Sequence, residues 1–323
     1  MELNSPQLED EQDVLRHLIT YLACRVPHLP EVKLQKLIYI AHLYHYSSYG
    51  KLLTKTRFFS LSYGPHAPTI RFTIKEQLEC SAIYLEESRT SSDPVYSNVC
   101  MIIKSREFKE KELPGSYLNT IEEVVERWGN RSFEDILDYT IRTIPCLSTT
   151  YREHIDLSMI QPSNELNRAL SLEERVQIHK FMEAPDQPVG EKTADSESCP
   201  VSIHEVAEIY LALCGDVPDR IPSREHFGFN AQAVIEAFST INDTSKGDTT
   251  DIDKAALIAG SLLDSICFKH YSGRVALKTG ILFLKRSGYS FNGDVLEESW
   301  PEGNDHKSIR KWFGGICNKV DSG

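Results

Sequence analysis

The chain has 323 residues, 41% of them apolar and 25% charged, with a formal net charge of −12. That length predicts two domains, each with its own core. The acidic balance argues against a general phosphate-binding surface, which needs clustered Lys and Arg, although it leaves room for a small basic patch. A basic partner protein is compatible with this charge, and nucleic acid is not the expected partner.

No apolar run is long enough to span a bilayer, and Met1 to Asp13 is too polar and acidic to read as a signal peptide. The eight cysteines form no C-x-x-C pair. Several, such as Cys24 and Cys214, have apolar neighbours, so buried free thiols in a reducing cytoplasm are expected.

Val14, Leu15, Leu18, Ile19 and Leu22 recur at helical steps and predict a first helix, ended by Pro27 and Pro30. Leu34, Leu37, Ile38, Ala41 and Tyr44 make the stripe of a second, with Gly50 as its C-cap. Arg57 to Leu61 reads as a short strand ending in a Tyr63-Gly64-Pro65 turn. Ala82 to Leu85 and Val99 to Ile103 read as a hairpin around the polar Ser88 to Pro94 loop. Tyr117 to Trp128 is helical and stops at Gly129, and Ser132 caps the next helix with Asp135 at the box position. Ser171 with Glu174 signals another start. Glu183 to Pro200, with three prolines and mostly acidic charge, reads as a linker. Beyond it Val201–Leu213, Ala231–Ile241, Asp251–Ile266, Gly273–Arg286 and His306–Cys317 are predicted helices, so the second half reads as wholly helical, punctuated by Gly215, Gly228 and Gly288.

Lys33-Leu34-Gln35-Lys36-Leu37-Ile38-Tyr39, Tyr49-Gly50 and Tyr63-Gly64-Pro65 follow one another in an order that resembles the Panacea domain, the SocA-like antitoxin family of prokaryotes. Val125 to Gly129, Phe133 to Ile136 and Tyr139-Thr140 resemble its later helices, so the likeness covers roughly Asp10 to Gln161. The resemblance implies a cytoplasmic protein that binds other proteins, a toxin or its target, rather than a catalyst. From the residues alone, Lys33 and Lys36 are expected to snorkel from the edge of a buried stripe. Gly64 and Pro65 are expected to build the turn. Tyr39, Tyr49 and Tyr63 read as core-edge tyrosines. Tyr39, Tyr63, Gly64, Pro65 and His66 are the candidate binding residues, His66 because contacts concentrate at loops beside tight turns. His42 and His45 stand three apart on a helix, but with no matching Asp, Glu or Cys they read as partly buried rather than as metal ligands.

Asp253 to Leu257, Phe283-Leu284 and Ser287-Gly288-Tyr289 resemble the Fic/Doc fold, and Val201 to Gly215, with His204, resembles its first helix. The family's motif loop, H-P-F-x-[DE]-G-N-[GK]-R, then falls on Ile266 to Arg274. Phe268, Gly273 and Arg274 match. Ile266 replaces the general base, His270 replaces the metal carboxylate, Tyr271 replaces a loop glycine and Ser272 stands next to it. An aliphatic side chain cannot take a proton, and a neutral imidazole is a poor magnesium ligand. The resemblance therefore implies a degenerate Fic/Doc-like domain without a cofactor. Its alternative is a self-restrained transferase using ATP and Mg, with His270 and Arg274 as the catalytic candidates.

The expected architecture is mainly α. A helical Panacea-like domain with a small β-hairpin spans 8–165, a helix and acidic linker span 166–199, and an all-α Fic/Doc-like domain spans 200–323. Contact between the two domains is expected, because covalent fusion raises effective concentration. Lys307, Arg310 and Lys311 read as a solvated helix face with Trp312 packed inward.

Overall fold

A computed structural model describes residues 11–89, 99–108, 113–159, 169–184, 201–244, 249–264, 267–291 and 301–319. It divides into two compact units, Met1–Asn167 and Arg168–Gly323. The fold is mainly helical, with only short antiparallel strand pairs.

The first unit is built on helix α2 (Glu31–Tyr49). Nearly its whole circumference is buried, as expected for a central helix surrounded by others. Gly50 ends it in the left-handed region at φ 66°, with its N–H on the carbonyl of Tyr46. Around it pack α1 (Glu11–Arg25), α4 (Gly115–Trp128) and α5 (Phe133–Arg142). Ser132 caps α5 through the N–H of Asp135. Strands β1 (Phe59–Leu61) and β2 (Gly64–His66) form the hairpin around the Tyr63-Gly64 turn, with Phe59 opposite His66. Strands β3 (Tyr84–Arg89) and β4 (Val99–Lys104) pair as the predicted hairpin. Helix α3 (Pro68–Glu79) starts on a proline at its first turn and buries Ile70, Thr73, Ile74 and Gln77. The short α6 (Ile144–Leu147) follows α5.

In the second unit α7 (Leu172–Glu183) and α8 (Ile203–Leu213) both open with full capping boxes, Ser171–Glu174 and Ser202–Glu205. Helix α7 packs on α8. The predicted linker lies, beyond Ala184, outside the described residues. Helices α9 (Ala231–Thr244), α10 (Asp251–Asp264), α11 (Ser272–Arg286) and α12 (His306–Ile316) complete the unit. Gly280 on α11 lets α12 approach closely: a Cβ there would lie 2.4 Å from Phe313 Cζ.

This half is not wholly helical. Strand β5 (Tyr289–Phe291) pairs with β6 (Cys317–Lys319) in antiparallel register. Trp312 is half-buried, and the inward anchor of α12 is its neighbour Phe313, fully buried beside Ile309 and Ile316. The thiols are not uniformly buried either: Cys24 and Cys80 are exposed and Cys100 and Cys214 intermediate, while Cys146, Cys267 and Cys317 are buried. Cys24 sits at the end of α1, where the apolar stripe has already turned away. No helix among the described residues is long and apolar enough to cross a membrane.

Candidate functional site

The motif residues of α2 form an internal clasp. Lys33 and Lys36 are buried, not snorkelling. Lys33 Nζ donates to the carbonyls of Gly129 (2.8 Å) and Arg131 (3.0 Å), at the end of α4. A cation there complements the helix dipole and satisfies carbonyls the helix leaves open. Burial lowers the Lys33 pKa. Lys36 Nζ donates to the carbonyl of Pro65 at 2.6 Å. Gln35 clamps Ala67 from both sides, accepting its N–H at 2.9 Å and donating to its carbonyl at 3.2 Å. Lys33, Gln35 and Lys36, the residues that look polar on α2, thus serve the backbone of neighbouring elements, which an amphipathic pattern does not reveal.

Tyr39 has no exposed surface. Thr143 Oγ1 gives its own proton to the carbonyl of Thr140, so the Tyr39 hydroxyl donates to Thr143, at 2.8 Å. It ties α2 to the α5–α6 junction and is not available to a partner. Gly64 holds φ 76°, and a Cβ would lie 3.1 Å from Leu137 Cδ1 and 3.3 Å from Ile141 Cγ1. Pro65 is buried and His66 half-buried. Burial lowers the His66 pKa, with Lys36 and Arg71 acting in the same direction and Glu31 against them. Tyr63, at 70% exposure, is the one candidate whose side chain stands fully in solvent; Tyr49 is also exposed.

His42 and His45 are both buried. Thr120 gives its proton to the carbonyl of Ser116, so His45 Nδ1 is the donor in its 3.0 Å bond to Thr120. Thr54 gives its proton to Thr56, so His42 Nε2 donates to Thr54, at 3.2 Å. Burial pushes the two imidazoles down to about 3 and about 4 respectively, and each histidine is neutral at pH 7. No group of three His, Cys, Asp or Glu side chains among the described residues is placed to hold a metal ion.

In the second unit the stretch Cys267–Tyr271 leads into α11. Ile266 lies outside the described residues. Phe268 is buried and meets the rings of Tyr210 and Phe229 at 5.2 and 6.0 Å. Tyr271 adopts φ 59°, a left-handed conformation that normally favours glycine. His270 and Arg274 are exposed, and Ser272 and Gly273 intermediate. From Cys267 to Arg274 the chain carries no carboxylate, so this loop does not fit a magnesium-bound nucleotide.

Residues 34–143 match the family model described as antitoxin SocA-like, Panacea domain. The match begins on α2, one residue after Lys33, and ends at Thr143, so it takes in Gln35, Lys36, Tyr39 and the hydroxyl that receives Tyr39. It covers about a third of the chain and none of the second unit. No curated protein and no solved structure matches the chain significantly.

Proposed function

We propose that the chain is a non-enzymatic, protein-binding regulator of the toxin–antitoxin type. The observation that carries this is the Panacea match over residues 34–143, on a scaffold whose motif residues bind their own backbone. The clasp holds the Tyr63-Gly64-Pro65 turn rigid and leaves Tyr63 outward, which suits recognition by a preorganised surface. The second unit is proposed as a degenerate Fic/Doc-like domain used for recognition. Support comes from its α10–loop–α11 order and from Tyr271, which takes a left-handed conformation where that family has a loop glycine.

The test is to purify the tagged full chain from its native host and identify proteins that co-elute in stoichiometric amount. A partner that arrests growth when expressed alone, and is silenced by co-expression of the full chain, supports the proposal. Transfer of label from ATP to a protein hydroxyl, abolished by His270→Ala, would overturn it in favour of an active transferase.

A further inference from the structure

A cavity of about 990 Å³ lies in the first unit between α1, the C-terminal end of α3 and the start of the β3–β4 hairpin. Leu78, Ile83 and Phe108 give it apolar walls, and Thr20, Gln77 and the thiol of Cys80 give it polar ones. That volume is in the range of small-molecule sites.

Gln77 is 3% exposed, and its polar atoms are taken but for one. Its Nε2 donates to the carbonyl of Arg16 at 3.0 Å and to Thr20 Oγ1 at 2.8 Å, both on α1. Its backbone carbonyl accepts from Ala82 and Ile83, at 2.9 and 3.4 Å, where the chain reverses through Ser81 at φ 60°. Its side-chain Oε1 has no hydrogen-bond donor. A buried acceptor without a donor is costly, and the bonds on either side of the amide keep it in place. An N–H brought by a molecule in the cavity supplies what is missing.

Cys80 is the C-cap of α3, one turn beyond Gln77, and lines the same cavity. Its thiol is free and exposed, with Sγ 3.5 Å from the carbonyl of Gln77. Of the described cysteines only Cys24 is also exposed, and Cys24 does not line the cavity. Charge does not select the ligand. Arg16 is held by Asp13 and Glu76, and the exposed Arg106 is followed by the exposed Glu107. What the wall offers is a sulfur and, one turn away, an open amide acceptor.

We propose that Cys80 is a site of reversible S-thiolation by a small peptide disulfide, one that carries an amide N–H close to its sulfur. The Cys80 thiolate attacks one sulfur of the incoming disulfide. A new S–S bond forms to Cys80, the old one breaks, and the departing thiolate takes up a proton. The Cys80 sulfur is oxidised, the released small thiol is reduced, and the proton count balances with the one Cys80 gave up to solvent. The half retained on Cys80 fills the cavity and donates its amide N–H to Gln77 Oε1. An excess of small thiol reverses the exchange.

The test treats the full chain with oxidised glutathione at mildly alkaline pH, quenches with acid and reads each cysteine by peptide mass spectrometry. Cys24, exposed on the same unit, is the internal standard. Cys80 is expected to take the adduct at least about fivefold faster than Cys24. With 2-hydroxyethyl disulfide, which has no amide, the ratio of the two rates is expected to fall toward one. Gln77→Met is expected to lower the Cys80 rate and leave the Cys24 rate unchanged. A variant loosened as a whole would also expose the buried Cys146, which the same spectra report. Modification of Cys24 at least as fast as Cys80, an internal disulfide in place of the adduct, or the same preference for Cys80 with 2-hydroxyethyl disulfide would each overturn the proposal. So would an unchanged rate ratio in Gln77→Met.

Discussion

Lys36 and Pro65 stand 29 residues apart, and the buried ammonium of one donates to the carbonyl of the other at 2.6 Å. The bond fixes the β1–β2 turn to the central helix. Replacing Lys36 with Met keeps most of the aliphatic stem but strands the Pro65 carbonyl. The cost is expected to be about 1–3 kcal/mol. Chemical denaturation of the variant against the wild type checks this, and an unchanged midpoint would mean that the ammonium contributes nothing to the fold.

Gly64 is expected to tolerate no side chain. Its φ of 76° already penalises any other residue, and the space for a Cβ is bounded by Leu137, Ile141 and Lys36 at 3.1 to 3.4 Å. Gly64→Ala should cost about 1–2 kcal/mol from backbone conformation, with packing added to it. If thermal unfolding of Gly64→Ala matched the wild type, the turn would have to be softer than the clasp implies.

Most of the helices could be read from periodicity and caps, because α1, α4 and α5 each carry a clear stripe and Ser132, Ser171 and Gly50 mark ends by local chemistry. Helix α3 was not legible: its buried row is Ile70, Thr73, Ile74 and Gln77, in which polar residues interrupt the apolar signal. The β5–β6 pair escaped because three-residue strands, 28 positions apart from Tyr289 to Cys317, leave no local pattern. Of the candidate binding residues, the sequence could not separate Tyr39 from Tyr63. Both are tyrosines beside a glycine-marked helix or turn, yet one is locked onto Thr143 and the other stands in solvent. The inward aim of Lys33 and Lys36 was equally hidden, since it depends on carbonyls that only the tertiary fold brings to them.

Acid should weaken the first unit before it protonates surface carboxylates. His42 and His45 are held at about 3 and about 4 in the fold and return to about 6.5 on unfolding. The unfolded chain therefore binds more protons, and stability falls as pH drops below about 6.5, by at most about 1.4 kcal/mol per pH unit for each histidine. His45→Asn, which keeps a donor for Thr120 but cannot titrate, should flatten the slope between pH 6.5 and 4. Guanidinium titrations at several pH values give the comparison, and equal slopes in both proteins would remove His45 from the account.

Glu205 and Arg286 provide the corresponding test in the second unit. Burial alone pushes the Glu205 carboxyl up, but Arg286 and the Ser202 cap outweigh it and hold its pKa below the usual value. This carboxylate therefore contributes stability above its unfolded pKa and loses it as pH falls through the folded one. Arg286→Met removes the partner and leaves a buried charge at the start of α8, with an expected cost of about 3–5 kcal/mol at neutral pH. Because Glu205 can then protonate, the loss should shrink toward acid pH. A loss independent of pH would assign the effect to packing of the arginine stem rather than to the ion pair.

Gly280 makes the sharpest prediction about packing. The ring of Phe313 is fully buried against α11, and a methyl group at 280 would meet Phe313 Cζ at 2.4 Å and Ala255 O at 3.2 Å. Alanine is the better helix former by about 1 kcal/mol, so in an open helix Gly280→Ala would stabilise. Here the 2.4 Å overlap is expected to cancel or reverse that gain, with a net loss of up to about 2 kcal/mol once the propensity gain is subtracted from an overpacking cost of about 1–3 kcal/mol. The companion variant Phe313→Leu relieves the clash at the expense of a cavity. Adding Gly280→Ala to Phe313→Leu should therefore cost less than adding it to the wild type. Calorimetry on the four proteins reads this coupling directly, and strict additivity would show that α11 and α12 do not meet at these two residues.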